Sequence, residues 1–139
     1  MRRGVLLDTG PLVAYFCPGD RFHAWAVSQF AAFVAPVTTC EPVLAESCFL
    51  LARAGVPPTR ILTKLAQGVF RIGLGIERDA ASIASLMQRY ADLPMSLADA
   101  CMVRLAETLP GPVCTLDRDF RIYRRQGRQP LDLIIPDDI

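Results

Sequence analysis

One short stretch near the N-terminus constrains the fold more than any other. The apolar run Val5-Leu6-Leu7 ends at a single acid, Asp8, and Gly10-Pro11 follows. A short continuous apolar run is typical of a strand that is buried on both faces, and proline is favoured in the first turn of a helix. Asp8 is therefore predicted to lie at the carboxyl end of a strand, the edge at which α/β sheets bind ligands. Alternatively, Asp8 only caps the helix that follows.

The rest of the chain repeats this alternation of strand and helix. Further short strands are predicted at residues 35–39, 69–74, 112–116 and 131–135, with helical segments between them. This order predicts a mostly parallel sheet of about five strands, covered by helices on both faces. A hydrophobic content of 52% and a mean hydropathy of +0.30 fit such a sheet. The length of 139 residues indicates one domain, 1–139.

Several classes of protein are disfavoured by the sequence. No apolar run approaches the roughly 20 residues that span a bilayer, and the run ending at Asp8 is too short for a secretory signal. We therefore expect a cytoplasmic protein with no membrane partner.

The chain has one histidine, His23, and no CxxC pair, which favours buried free thiols over disulfides, zinc or a nucleophilic cysteine. The five cysteines are Cys17, Cys40, Cys48, Cys101 and Cys114.

Two acids fall among the apolar residues of predicted helices. Glu46 follows Val43 by three residues and precedes Leu50 by four, so it lies along the apolar stripe of its helix. We expect it to be buried or to face a cleft, with a compensating partner, cation or bound water. The alternative is a salt bridge to an arginine. Asp99 also shares an apolar stripe. Because Ser96-Leu97-Ala98-Asp99 resembles a capping box, Asp99 can serve as a cap as well.

A further acid follows the fourth predicted strand, in Thr115-Leu116-Asp117-Arg118-Asp119-Phe120. Asp117 follows that strand as Asp8 follows the first, so two strand tips are predicted to carry acids at the same edge of the sheet. One of Asp117 and Asp119 is expected to cap the next helix. We assign Asp117 to chemistry and Asp119 to support.

Carboxylates that converge with no histidine or thiolate beside them favour Mg²⁺ or Mn²⁺ over zinc. Such an ion can activate water and neutralise the charge that develops on a phosphodiester. A short arginine-rich helix is predicted directly after Asp117, with Phe120 and Tyr123 among its basic residues, and it could hold phosphates beside the metal. The alternative is a solvated helix whose arginines pair with acids elsewhere. The arginines are Arg118, Arg121, Arg124, Arg125 and Arg128.

Four ordered segments carry the acids: Leu7-Asp8-Thr9-Gly10-Pro11-Leu12, Val43-Leu44-Ala45-Glu46, Asp92 through Leu97-Ala98-Asp99-Ala100, and Thr115-Leu116-Asp117-Arg118-Asp119-Phe120. Together they resemble the motifs of PIN-domain ribonucleases, most closely the VapC type of toxin–antitoxin systems, over essentially the whole chain. The resemblance implies a three-layer α/β/α fold and Mg²⁺- or Mn²⁺-dependent endonucleolytic cleavage of RNA. It also implies inhibition by a small antitoxin protein and, commonly, a homodimer.

The resemblance further implies roles for individual residues. Asp8, Glu46, Asp99 and Asp117 would form the acidic cluster, with Asp8 and Asp99 as the direct metal ligands. Thr9 and Thr115 occupy hydroxyl positions of the motifs and would orient water. Ser96 stands where some relatives carry an additional acid.

Two other functions compete with this interpretation. An aspartyl-phosphate phosphotransferase also places an aspartate at a strand tip, but that class usually has a second aspartate two residues later, where this chain has Gly10. It also has a lysine at a later strand end, whereas Lys64 falls within a predicted helix. A catalytically silent PIN-like module that binds RNA or protein would keep the acids for structural reasons alone.

Overall fold

The fold is built on a central sheet of five parallel strands. In the computed structural model, which describes residues 1–139, its strands are β1 (Leu6–Leu7), β2 (Val37–Thr39), β3 (Phe70–Ile72), β4 (Val113–Cys114) and β7 (Leu133–Ile134). Their order across the sheet is β3-β2-β1-β4-β7. All four pairings are parallel, so the predicted sheet is confirmed, with shorter strands than the apolar runs indicated.

Six helices flank the sheet and complete a three-layer α/β/α sandwich. They are α1 (Thr9–Phe16), α2 (His23–Ala31), α3 (Glu41–Arg53), α4 (Thr59–Ala66), α5 (Ile76–Arg89) and α6 (Leu97–Thr108). Helix α6 packs against α3, α5 and β1, and seven of its residues are buried. Because α6 is largely enclosed, polar residues in its first turn lie at the border between the core and solvent. None of the six helices is both long and apolar enough to cross a membrane.

The register of the central strands brings two chain segments together at one edge. Leu7 on β1 pairs with Cys114 on β4, so the next residues, Asp8 and Thr115, are neighbours beyond the strand ends. The backbone N–H of Asp8 donates to the Cys114 carbonyl at 3.0 Å, and the Thr39 hydroxyl donates to the Leu7 carbonyl at 2.7 Å. These bonds fix the end of β1, from which Asp8 projects.

The segment after Asp117 differs from the predicted arginine-rich helix. Only Arg118–Arg121 is helical, as a single 3₁₀ turn. The chain then forms an antiparallel hairpin of β5 (Arg124–Arg125) and β6 (Gln129–Pro130). Gln126 and Gly127 have positive φ angles of 52° and 70° in the hairpin turn, a conformation that a continuing helix cannot contain. The prediction of a helix holding all five arginines is therefore wrong.

Candidate active site

Asp8 is a buried carboxylate at the edge of the sheet, as its position after the first strand predicted. Only 5% of the residue is exposed. It occupies the N-cap position of α1, but its side chain makes no capping hydrogen bond. Instead its Oδ2 accepts a hydrogen bond of 2.7 Å from the Thr115 hydroxyl. This geometry therefore does not support the alternative that Asp8 only caps the helix.

The surroundings of Asp8 make its negative charge costly. Burial raises the pKa of Asp8 to about 7, although the hydrogen bond from Thr115 lowers it, and the nearby charges of Asp99 and Asp117 raise it further. Desolvation and like charges both disfavour the ionised form of a carboxylate. At neutral pH this group is therefore poised between the protonated and the charged state.

Thr115 connects the two strand tips. Its hydroxyl donates to Asp8 and accepts a hydrogen bond of 3.0 Å from the backbone N–H of Asp117. Asp117 in turn accepts from the backbone N–H of Asp119 at 2.9 Å, as the cap of the 3₁₀ turn. The acid that caps the turn is thus Asp117, and Asp119 lies inside the turn, half-buried.

Asp99 belongs to the same group of charges while also capping α6. Its Oδ2 accepts from the backbone N–H of Ser96 at 3.0 Å, and its own N–H donates to the Ser96 hydroxyl at 3.1 Å. Both bonds of the capping box are present. Burial raises the pKa of Asp99, and the charges of Asp117 and Asp119 raise it too, against the lowering effect of the bond from Ser96. The two predicted roles of Asp99 are compatible in this structure.

Of the two alternatives predicted for Glu46, burial is wrong, because the residue is exposed, whereas a position facing a cleft agrees with the structure. The buried residues of α3 are Val43, Leu44, Ser47 and Leu51, whereas Phe49 is 59% and Leu50 39% exposed. The apolar neighbours that suggested a buried stripe therefore lie partly on the solvent side. Glu46 lines an open groove beside the first turn of α6, forms no ion pair, and is not among the acids that shift the pKa of Asp8 or Asp99.

The oxygen donors of this site suit a hard divalent cation. No arginine or lysine forms an ion pair with Asp8, Asp99 or Asp117, so nothing in the chain neutralises them. The Thr9 hydroxyl, next to Asp8, is buried without a hydrogen-bond partner, which is uncommon for such a group. The carboxylates are not already gathered around one point, since no three acidic, histidine or cysteine side chains are close enough to ligate one ion. The donor chemistry is that of Mg²⁺ or Mn²⁺.

Tyr123 lies near the acids, and its environment differs from the one that the sequence predicted. We predicted Phe120 and Tyr123 among surface arginines, but both are fully buried. Tyr123 packs edge-on against Tyr90 and Phe120, at 5.0 and 5.1 Å between ring centres. Burial raises its pKa, as do the charges of Asp99 and Asp117. The spacing of Phe120 and Tyr123, three residues apart, was the available signal of a shared buried face.

The five arginines of residues 118–128 form a surface that we call the arginine segment. None of them makes an ion pair, so the alternative of a helix neutralised by acids is not supported. Two of them are engaged within the chain. The Nη1 of Arg124 donates to the carbonyls of Arg121, Ile122 and Tyr123 at 2.8 to 3.1 Å, and the Nη2 of Arg121 donates to the Ile139 carbonyl at 3.3 Å. Arg118 and Arg128 are exposed, and their charges are available to an anionic ligand.

Comparisons with known proteins give two matches. The family described as PIN domain matches residues 5–126, a range that contains all the acids described above. The chain is also 32% identical, over 118 residues, to a protein of Mycobacterium tuberculosis named Ribonuclease VapC26. That alignment covers 82% of this chain and 87% of the relative.

Proposed function

The chain belongs to the PIN-domain family, and on that premise we propose that it is a metal-dependent endoribonuclease of the VapC type, hydrolysing phosphodiester bonds in RNA. The observation that carries the proposal is the buried carboxylate of Asp8, which has Asp99 and Asp117 near it and no cationic side chain paired with any of the three. Uncompensated acids at the carboxyl edge of a sheet destabilise a chain unless a ligand offsets their charge.

Mg²⁺ or Mn²⁺ would be held by Asp8 and Asp99, with Asp117 and Glu46 completing the acidic set. When bound, such an ion supplies positive charge for the reacting phosphodiester and lowers the pKa of water. The residues of the chain then position the reactants. Thr115 fixes the Asp8 carboxylate through its 2.7 Å bond and holds the Asp117 backbone at 3.0 Å. The unpartnered Thr9 hydroxyl can orient water, and Asp119 supports Asp117.

The arginine segment supplies the contacts to RNA outside the acidic site. It begins at Arg118, the residue after Asp117, and ends at Arg128 in the turn of the β5–β6 hairpin. Arginines bind phosphates through charge and through paired N–H donors. Arg118, Arg121, Arg125 and Arg128 are proposed to contact phosphates, whereas Arg124 mainly holds the turn through its three carbonyl contacts.

The VapC resemblance also leads us to propose a small antitoxin protein as a partner and a homodimer as the assembled form. Both can be measured on the purified chain, alone and with the product of any small gene that precedes its own. Light scattering after size exclusion should give twice the mass of 15.3 kDa for the chain alone. A monomer at micromolar concentration would exclude the dimer without affecting the ribonuclease proposal.

The central experiment compares RNA cleavage by the parent chain with that by Asp8→Asn and Asp99→Asn. Each substitution removes one charge with little change in shape, so we expect cleavage to disappear while the circular dichroism spectrum stays that of the parent. Asp132→Asn, at an exposed acid after β6, is the matched control and should cleave normally. EDTA should stop RNA cleavage by the parent chain, and addition of Mg²⁺ or Mn²⁺ should restore cleavage.

Full activity in Asp8→Asn or Asp99→Asn, or activity that persists in EDTA, would contradict the assignment of the site. RNA binding that does not depend on divalent metal, with no cleavage products under any condition, would instead favour a catalytically silent module.

A further inference from the structure

An open groove lies beside the acidic site, and of its lining residues only Glu46 has a role in the proposed reaction. It is shallow and wide open to solvent, with a volume of about 610 Å³. Its walls come from the first two turns of α3 and from the starts of α5 and α6, and the residues Ser96 to Ala98 on one wall directly precede Asp99. The main lining side chains are Glu41, Pro42, Ala45, Glu46, Ile76 and Leu97.

The charge of the groove decides which part of a nucleic acid can enter it. Glu41 and Glu46 are exposed and form no ion pair, and no arginine or lysine lines the groove. Phosphates are repelled by such a surface and attracted to the arginine segment. An RNA strand crossing the acidic site therefore keeps its backbone towards the arginine segment, and only an uncharged base is compatible with the groove.

The apolar walls suit the face of a base. Leu97 is 43% exposed although it is a large hydrophobic residue at the start of a helix, and Pro42, Ala45 and Ile76 continue the apolar surface. Recognition of single-stranded RNA commonly combines contact with a base face and hydrogen bonds to its Watson–Crick edge. The groove offers both, with Leu97 for the face and a carboxylate for the edge.

A carboxylate discriminates among bases because it only accepts hydrogen bonds when ionised. Guanine presents two parallel N–H donors, N1–H and the N2 amino group, which match the two oxygens of one carboxylate in the same paired manner as a guanidinium does. Uracil presents one N–H between two carbonyl oxygens, and a carboxylate repels those oxygens. The geometry points to a base-specificity site in this groove, where Glu41 binds the edge of a guanine adjacent to the cleaved phosphate and Leu97 contacts its face.

This inference rests on the proposed ribonuclease function, because the RNA must cross the acidic site, but binding tests it separately from cleavage. The probes are an octamer of uridines and the same octamer with one central guanosine, titrated in Ca²⁺ by fluorescence anisotropy while a gel confirms that the RNA stays intact. We expect the parent to bind the guanosine octamer roughly tenfold more tightly, the order expected for one paired contact to a base edge. In Glu41→Gln the two affinities should agree within about threefold, because an amide replaces one acceptor oxygen by a donor.

Glu77→Gln is the control for loss of a helix-terminal charge. Glu77 is an exposed glutamate in the first turn of α5, as Glu41 is in the first turn of α3, but it does not line the groove. The Glu77→Gln variant should keep the parental preference for the guanosine octamer. Leu97→Ala should weaken the binding of the guanosine octamer several-fold while the chain keeps its oligomeric state.

Equal binding of the two octamers by the parent, or an unchanged preference in Glu41→Gln, overturns the inference whether or not the chain cuts RNA. A change of oligomeric state in Leu97→Ala with no effect on RNA overturns it in favour of a protein interface. Absence of cleavage with a guanosine preference that depends on Glu41 refutes the ribonuclease proposal alone.

Discussion

The energetic cost of the buried Asp8 carboxylate can be measured through the pH dependence of stability. Asp8 is 5% exposed, and its pKa is raised from 3.8 to about 7, mainly by burial. Between these two values the folded chain retains a proton that the unfolded chain has released. Stability must therefore fall as pH rises through this window, because the folded state binds more protons.

The size of the effect follows from the same pKa values. At pH 5 the folded-state pKa lies about two units higher than the pH, and each unit corresponds to about 1.4 kcal/mol, so the metal-free parent should lose about 3 kcal/mol between pH 5 and pH 8. For a domain of this length, 1 kcal/mol shifts the melting temperature by about 3 °C, which gives a decrease on the order of 10 °C. Asp8→Asn has no titrating group at this position, so its stability should not show this decrease between pH 5 and pH 8.

The assay is urea unfolding and thermal melting of the parent and Asp8→Asn at pH 5, 6, 7 and 8, in EDTA. Groups common to both chains cancel in the difference between them, and Asp132→Asn controls for the loss of any one acid. At pH 8 we expect Asp8→Asn to be more stable than the parent. The difference should be about 3 kcal/mol smaller at pH 5 and should disappear only below the unfolded-state pKa of 3.8. Excess Mg²⁺ should flatten the pH dependence of the parent, because a bound cation favours the ionised carboxylate.

Parallel pH profiles for the parent and Asp8→Asn would refute this reasoning, since they would mean that the Asp8 pKa is the same in the folded and unfolded chains. A parent that gains stability from pH 5 to pH 8 relative to Asp8→Asn would show that the carboxylate is held in its charged form by a partner within the chain.

Three further substitutions test individual contacts. Thr115→Val removes the hydroxyl that bonds Asp8 and should cost about 1–3 kcal/mol in urea unfolding, because a buried acceptor loses its donor. Ser47→Ala removes a buried hydroxyl without a partner; we expect unchanged or slightly higher stability, and a loss of more than about 1 kcal/mol would reveal a hidden hydrogen bond. Tyr90→Phe deletes the acceptor of the Arg124 backbone N–H at 2.9 Å, so hydrogen exchange at the Arg124 amide should accelerate; unchanged exchange would contradict the role of this bond in anchoring the hairpin.

The parts of the fold predicted from the sequence are those that depend on local patterns. The apolar run before Asp8 and the one before Thr115 each became a strand of the central sheet. Because both strands are parallel and adjacent, their following residues had to meet at one edge, as expected. The capping box at Ser96 and Asp99 could also be predicted from the sequence, since it depends on residues three positions apart.

The surroundings of Glu46 and of the arginines were not predictable in this way. Glu46 has apolar neighbours at helical spacing, but α3 buries the side that contacts α1, α4 and α6, and Phe49 and Leu50 remain partly exposed. The arginine segment was predicted as a helix, yet the turn at Gln126 and Gly127 reverses the chain into a hairpin. Tyr123 is buried as a result, against Tyr90 from a distant helix terminus.

The sequence by itself determined the succession of strands and helices, because hydrophobic runs and turn residues act over a few neighbouring positions. It placed Asp8 directly after β1, whereas Asp117 follows the shorter β4 only after Thr115 and Leu116. Only the tertiary structure decided which acids perturb one another. Asp8, Asp99 and Asp117 do so because β1, β4 and the start of α6 converge, whereas Glu46 faces the groove. The reason is physical: desolvation and charge interactions depend on distance and burial in three dimensions, and neither quantity is set by separation along the chain.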